Sequence, residues 1–199
     1  MKHLPYMVFG GLLLLQTACQ PQQLAPEALN DYVFNPQHHL QQVQQVGDIE
    51  AKVTYQPVDL LVARDLPSPV PPQPAVLDSL RHRYRGTTYF LLALARHQHE
   101  LLQPREGFAP YSNLLQTLAF EMPQHVRLVT SQGDTLRPSN YYFDRTYAGA
   151  AATQLLFAFP TPTSTGTWCF QLQECGLGIG NLSFPFAAAQ LATAPTLAN

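Results

Sequence analysis

Two short runs in the second half of the chain, Thr153–Phe159 (TQLLFAF) and Thr167–Leu172 (TWCFQL), limit the folds open to it most strongly. In each, the large apolar residues recur at every second position. That is the spacing of a β-strand with one face buried. Leu155, Phe157 and Phe159 share one face of the first run, and Trp168, Phe170 and Leu172 share one face of the second. Leu182, Phe184 and Phe186 repeat the pattern in Asn181–Phe186. The connector Pro160–Gly166 (PTPTSTG) reads as turn-rich, so the first two runs are expected to pair as a hairpin.

The rest of the chain is read against these strands. Thr87–Ala95 (TTYFLLALA) opens on β-favouring residues and is expected as a strand rather than a helix. Val126–Thr130 and Thr135–Leu136 flank Ser131-Gln132-Gly133-Asp134, a hairpin-type turn. Thr117–Met122 and Tyr141–Phe143 also read as strands. Ala51–Ala63 is β-rich with Pro57 inside it, which points to an edge strand or a bulge. In Pro36–Gly47, Leu40, Val43 and Val46 recur at a spacing of three, and Gly47 stands where a helix C-cap would, so a short helix is expected. Tyr111–Gln116 is expected as one helical turn. Leu66–Pro74 (LPSPVPPQP) holds five prolines and reads as an extended connector. The sum is an all-β chain: a single β-sandwich of about seven to nine strands, Ig-like in architecture, with one or two short helices.

The N-terminus belongs to a different problem. Lys2 and His3 precede the apolar run Met7–Leu15 (MVFGGLLLL), which is shorter than the roughly 20 residues of a spanning helix and has the proportions of an export signal. The run leads to Leu15-Gln16-Thr17-Ala18-Cys19. This stretch resembles a bacterial lipoprotein signal, in which a small residue precedes a cysteine that is acylated and becomes the new N-terminus. Ala18 and Cys19 match that pattern, and Gln16 stands where the class usually has an aliphatic residue. The resemblance implies a lipid on Cys19. An ordinary cleaved signal is the alternative. By resemblance to enteric lipoproteins, Gln20 in place of Asp favours the outer over the inner membrane.

The expected organisation is therefore a signal peptide at 1–18, a tether at 19–36, a β-sandwich domain at 37–190 and a C-terminal tail at 191–199. The tether reading rests on the Gln- and Pro-containing sequence after Cys19, which offers little to bury. The remaining length suits one domain. Charged residues make up 12% of the chain and the net charge is −2, so no basic stripe for nucleic acid is expected.

Motifs that carry chemistry are sparse. Cys169 and Cys175 remain once Cys19 is acylated, and an exported protein could join them as a disulfide if the chain turns near Gln173-Glu174. His97 and His99 sit at i and i+2, with His38 and His39 as further imidazoles, a set suited to copper or zinc. A polar strand end followed by a solvated loop is the plainer reading of His97 and His99. Arg81, Arg83 and Arg85 alternate in RHRYR. If extended they share a face that could hold a carboxylate, a phosphate or an acidic sugar, or simply guard a sheet edge. Tyr141-Tyr142-Phe143 with Tyr147 could stack on a sugar or peptide, although strand aromatics more often pack. Gly176-Leu-Gly-Ile-Gly lacks the following helix of a dinucleotide fingerprint and reads as a turn. No G-x-S-x-G, Walker or EF-hand pattern occurs, and no cofactor is expected.

These features imply a non-enzymatic, lipid-anchored envelope module. Its expected partners are the membrane, through its lipid, and a protein of an envelope complex. The alternatives are an exported copper- or zinc-handling protein and an envelope-sugar hydrolase. The hydrolase requires two convergent carboxylates in a cleft.

Overall fold

Six phenylalanines, Phe90, Phe157, Phe159, Phe170, Phe184 and Phe186, form the centre of the molecule, each at most 2% exposed. The computed structural model describes residues 22–66, 73–102, 108–145 and 150–198. The chain opens with β1 (Gln23–Leu24), α1 (Pro26–Phe34) and a 3-10 turn at Pro36–His38. The hairpin β2 (Gln41–Val46) and β3 (Ile49–Gln56) follows. Next come α2 (Val58–Asp65), α3 (Pro74–Tyr84), β4 (Thr87–Arg96) and β5 (His99–Glu100). A helical stretch then runs through α4 (Phe108–Gln116), a π-helical turn at Thr117–Glu121 and α5 (Met122–His125). The second half holds β6 (Val126–Thr130), β7 (Thr135–Leu136), β8 (Asn140–Asp144), β9 (Thr153–Pro160), β10 (Thr167–Leu172) and β11 (Leu182–Ala187). It closes with α6 (Ala188–Ala192) and β12 (Thr196–Leu197).

The longer strands form two antiparallel sheets. One has the order β2-β3-β4-β9-β8, with β5 added to β4. The other has the order β11-β10-β6-β7, and a small parallel pair joins β1 to β12. The two larger sheets face each other through the phenylalanines. Phe170 of β10 lies with its ring centroid 5.7 Å from Phe90 and 5.9 Å from Phe157, both on the opposite sheet. All nine inward positions expected for β9, β10 and β11 are buried. The fold is β-rich, as the alternation predicts, because each of these strands keeps one face in the core along its whole length.

The partner expected for β9 is corrected. β9 pairs with β4 and β8, whereas β10 pairs with β6 and β11. The connector after Pro160 therefore crosses from one sheet to the other and does not close a hairpin. The two runs meet through their side chains, not their backbones.

Helices are also more numerous than the one or two expected. The expected tether holds α1, in which Leu29 and Val33, one turn apart, are fully buried. Two apolar residues at this spacing suffice once the rest of the fold supplies a surface. The expected tail holds the end of α6 and all of β12, and Thr196 N–H donates to the Gln22 carbonyl (2.9 Å). The first and last described strands, β1 and β12, are thus part of the domain.

The helix expected over Pro36–Gly47 is a short 3-10 turn followed by β2. Gly47, at φ +58°, is the first residue of the two-residue turn between β2 and β3. A hairpin turn and a helix C-cap both require left-handed backbone, so glycine marks either one. Pro57 produces no bulge; it ends β3 and precedes α2. Thr117–Met122 is helical rather than extended, and Phe120 on it is 77% exposed. Among the described residues no helix is long and apolar enough to cross a membrane.

Candidate functional site

The most distinctive concavity lies on the outer face of the larger sheet. Alternation sends Leu91 of β4 and Gln154 and Leu156 of β9 to that face, away from the phenylalanine core. The ends of α2 and α3 cover part of it, and Tyr84 of α3 packs edge-on against Tyr89 of β4 at 5.7 Å. Between these helices and β8 remains a groove of about 280 Å³. Leu61, Leu91 and Leu156 give it apolar walls, and Tyr84, Tyr142, Arg64, Asp65, Asp144 and Gln154 give it polar ones. Tyr142 is 64% exposed because β8 alternates: Tyr141 turns inward and stacks on Phe157 at 5.7 Å, leaving Tyr142 on the outer face. Tyr147, expected in the same aromatic cluster, lies outside the described residues.

One carboxylate of the groove is already engaged. Tyr84 Oη donates to Asp65 Oδ2 (2.6 Å), and Arg83 Nη1 donates to the same oxygen (3.2 Å). Burial first, and then the bond to Asp65, pushes the Tyr84 hydroxyl up to about 12, so it remains a protonated donor at neutral pH. Asp65 and Asp144 line one groove, and Asp65 accepts from both donors through one carboxylate oxygen. The groove offers an exposed aromatic ring, an apolar floor, and charges of both signs at the rim.

A larger trough, about 750 Å³, lies on the same outer face toward the β2–β3 turn. Its floor is made of Ala93, Ala95, Ala151 and Ala152, and its rim of Asp48, Glu50, Lys52 and His97. Most of the rim charges are matched within the protein, Lys52 with Glu50 at 3.3 Å and Arg96 with Asp48 at 3.1 Å. The smaller groove, with its exposed ring, is the better-built ligand site.

Of the residues singled out from the sequence, Tyr142 lines the groove and His97 the trough, and the others lie elsewhere. Arg81, Arg83 and Arg85 do not form a row, because Pro74 opens a helix that Leu77 and Leu80 bind to the core. Arg81 holds Asp59, Arg83 holds Asp65, and Arg85 ends the helix. An alternating RHRYR pattern fits a strand only when the residues before it do not already commit the chain to a helix.

The histidines are likewise not assembled. His38 stacks on Tyr32 at 3.5 Å, and His39 takes a left-handed backbone just before β2. His97 lies in the β4–β5 turn at the opposite end of β2, 3.9 Å from Asp48, with His99 beyond the turn. A strand of this length separates the two pairs by about 20 Å. Among the described residues no three metal-ligating side chains gather at one point.

Cys169 and Cys175 are both free thiols. β10 runs straight past Cys169 to Leu172, and Cys169 Sγ lies 2.9 Å from Ser183 Oγ across the sheet. Cys175 turns into the core, where burial, and then the Glu174 charge, pushes its thiol up to about 11. Cys19 lies outside the described residues.

The glycine-rich turn has an organiser that the sequence reading missed. Glu174 accepts backbone N–H bonds from Leu177 (2.7 Å), Gly178 (2.9 Å) and Gly180 (2.6 Å). Partial burial pushes this carboxyl up, but the backbone donors together outweigh it and hold the pKa below its ordinary value. The loop is a nest of donors filled by its own side chain. The only hint in the sequence was an acidic residue just before three glycines.

No protein-family model matches the chain, and no curated protein matches it. Two solved structures are similar to it. One is a protein of unknown function from Burkholderia pseudomallei, at 9% identity and a TM-score of 0.41, over 86% of this chain and 94% of that one. The other is a DUF4426 family protein from Pseudomonas aeruginosa, at 16% identity and a TM-score of 0.35, over 74% of this chain and 92% of that one. Similarity at this level assigns neither family nor function.

Proposed function

We propose that this protein is a non-enzymatic binding module, lipid-anchored at Cys19 in the cell envelope, and that it engages an envelope protein through the groove between α2, α3 and β8. The observation that carries the binding reading is Tyr142. A large aromatic ring left 64% exposed beside an apolar floor and charged rim is the composition of an interaction hot spot. The facing of two antiparallel sheets supports an Ig-like layering, a scaffold that presents such surfaces on rigid strands. The outer membrane is the favoured site, on the strength of Gln20.

The structure changes the geometry of the proposed anchor. With β1 starting at Gln23, only Gln20, Pro21 and Gln22 separate the acylated residue from the fold, a reach of about 10 Å. The domain then sits against the membrane by its β1–β12 side instead of standing off on a long tether.

Two experiments test the proposal. Cys19→Ala is expected to abolish acylation, read by mass spectrometry of the intact protein, and to release the chain from the membrane fraction. An acyl chain retained by that variant sinks the anchor. A pull-down of the native protein from gently solubilised membranes is expected to bring down a stoichiometric protein partner. Tyr142→Ala should weaken that association at least about tenfold. Recovery of the partner at full stoichiometry with Tyr142→Ala places the contact outside the groove.

A further inference from the structure

Three strands longer than two residues lie at the sheet edges: β2 and β8 in the larger sheet and β11 in the smaller. Edge strands present unpaired backbone groups, and proteins guard them with proline, charge or irregularity. β11 contains Pro185, and β8 ends on Asp144. β2 has neither: Gln41–Val46 is QQVQQV, six residues without charge, proline or glycine. Among the described residues its only strand partner is β3. The core side of β2 is secured, since Gln44 Nε2 donates to the Ser183 carbonyl (2.7 Å) of β11. On the outer face Val43, register partner of Lys52, is 48% exposed at the middle of the strand.

The order of residues identifies what fits this edge. Gln41-Gln42-Val43-Gln44-Gln45 reads the same in both directions. A two-fold axis through Val43 places each Val43 opposite its copy, each Gln41 opposite a Gln45, and each Gln42 opposite a Gln44. This antiparallel register keeps every side chain on its own face of the sheet. It gives one apolar pair flanked by amide pairs, with no charge left facing a gap, and its symmetry is that of an isologous interface. We propose that β2 is the interaction edge for a second copy of this chain, joining two larger sheets into one continuous sheet. The inference goes beyond the groove and the anchor and depends on neither.

The test uses the full chain in mild detergent. Residues opposite each other in antiparallel strands lie with Cα atoms about 4.5–5.5 Å apart, within the range that a disulfide spans. Val43→Cys is therefore expected to form a covalent dimer under mild oxidation. The unsubstituted chain and Phe120→Cys, which places a thiol on a more exposed residue away from the edge, should stay uncrosslinked. Val43→Lys sets two ammonium groups against each other, and sedimentation is expected to show dimerisation weakened at least about tenfold. Unsubstituted protein that sediments as a monomer at tens of micromolar overturns the proposal. So does Phe120→Cys crosslinking as fast as Val43→Cys, or Val43→Cys crosslinking to a different protein.

Discussion

Phe170→Ala is expected to destabilise the fold by about 3–5 kcal/mol, the range for removing a fully buried aromatic ring. A domain of this size has only about 5–15 kcal/mol of stability in total, so this one change consumes a large share of it. The ring contacts Phe90 at 5.7 Å, Phe157 at 5.9 Å, Phe159 at 6.0 Å and Phe184 at 6.3 Å. Three of those partners come from β4 and β9 on the facing sheet, and the fourth from β11 in the same sheet. Their backbones are fixed in two separate hydrogen-bonded ladders, so the walls of the vacated space cannot close on it without bending a sheet. That places the cost toward the upper end of the range. Urea unfolding of the variant measures it directly. Phe120→Ala is the internal control: the residue type is the same, but its side chain is 77% exposed, and the expected change is within about 0.5 kcal/mol. Equal effects from the two substitutions would mean that the phenylalanine cluster does not hold the sheets together.

The same cluster explains what could be read from the sequence. Leu155, Phe157, Phe159, Trp168, Phe170 and Leu172 announce their burial through local period-two spacing, because each strand lies along the core for its whole length. The turn at Ser131–Asp134 was also legible, since a hairpin turn is chosen by its own residues. What was not legible depends on distant parts of the chain. Nothing within Thr153–Phe159 or Thr167–Leu172 distinguishes pairing side by side from facing across a core. α1 was hidden because Leu29 and Val33 form an apolar face only when β3, α2 and β12 are there to receive it. The arginine run misled because three alternating charges fit either a strand or a helix, and Leu77 and Leu80 upstream decided the matter.

The candidate groove was less visible still. Tyr142 stood out in the sequence as part of an aromatic cluster, but Tyr84 and Asp65, which line the same groove, lie on helices that the local pattern did not announce. A site assembled from α2, α3, β4, β8 and β9 has no local spacing by which to be recognised. The histidine and cysteine pairs had such spacing and proved to be turn and strand residues. Proximity in sequence is a weak guide to convergence when the chain reverses direction between the residues concerned.

Asp59→Ala is the second substitution expected to have a large effect, and it reaches β12 and β1. Arg81 Nε donates to Asp59 Oδ1 and Arg81 Nη2 to Asp59 Oδ2, both at 2.9 Å, a two-point pairing of guanidinium and carboxylate. Asp59 Oδ2 also accepts the Leu197 N–H at 2.7 Å, while Arg81 Nη2 reaches the Leu197 carbonyl at 3.2 Å. The ion pair therefore takes the place of a neighbouring strand for β12, and β12 in turn pairs with β1. The side chain of Asp59 is 10% exposed and that of Arg81 29%. Breaking a fully buried pair costs about 3–5 kcal/mol, and the partial exposure of Arg81 reduces the expected loss for Asp59→Ala to about 2–4 kcal/mol. Arg81→Ala should cost less, because Asp59 keeps its bond from Leu197. Arg81→Lys should recover only part, since an ammonium cannot reproduce the two-point geometry. Hydrogen exchange at Thr196–Leu197 and Gln23–Leu24 is expected to accelerate in Asp59→Ala before the β4 and β9 amides respond. If those amides stay as protected as in the unsubstituted protein, the clamp does not hold β1 and β12, which are then secured by the burial of Leu197.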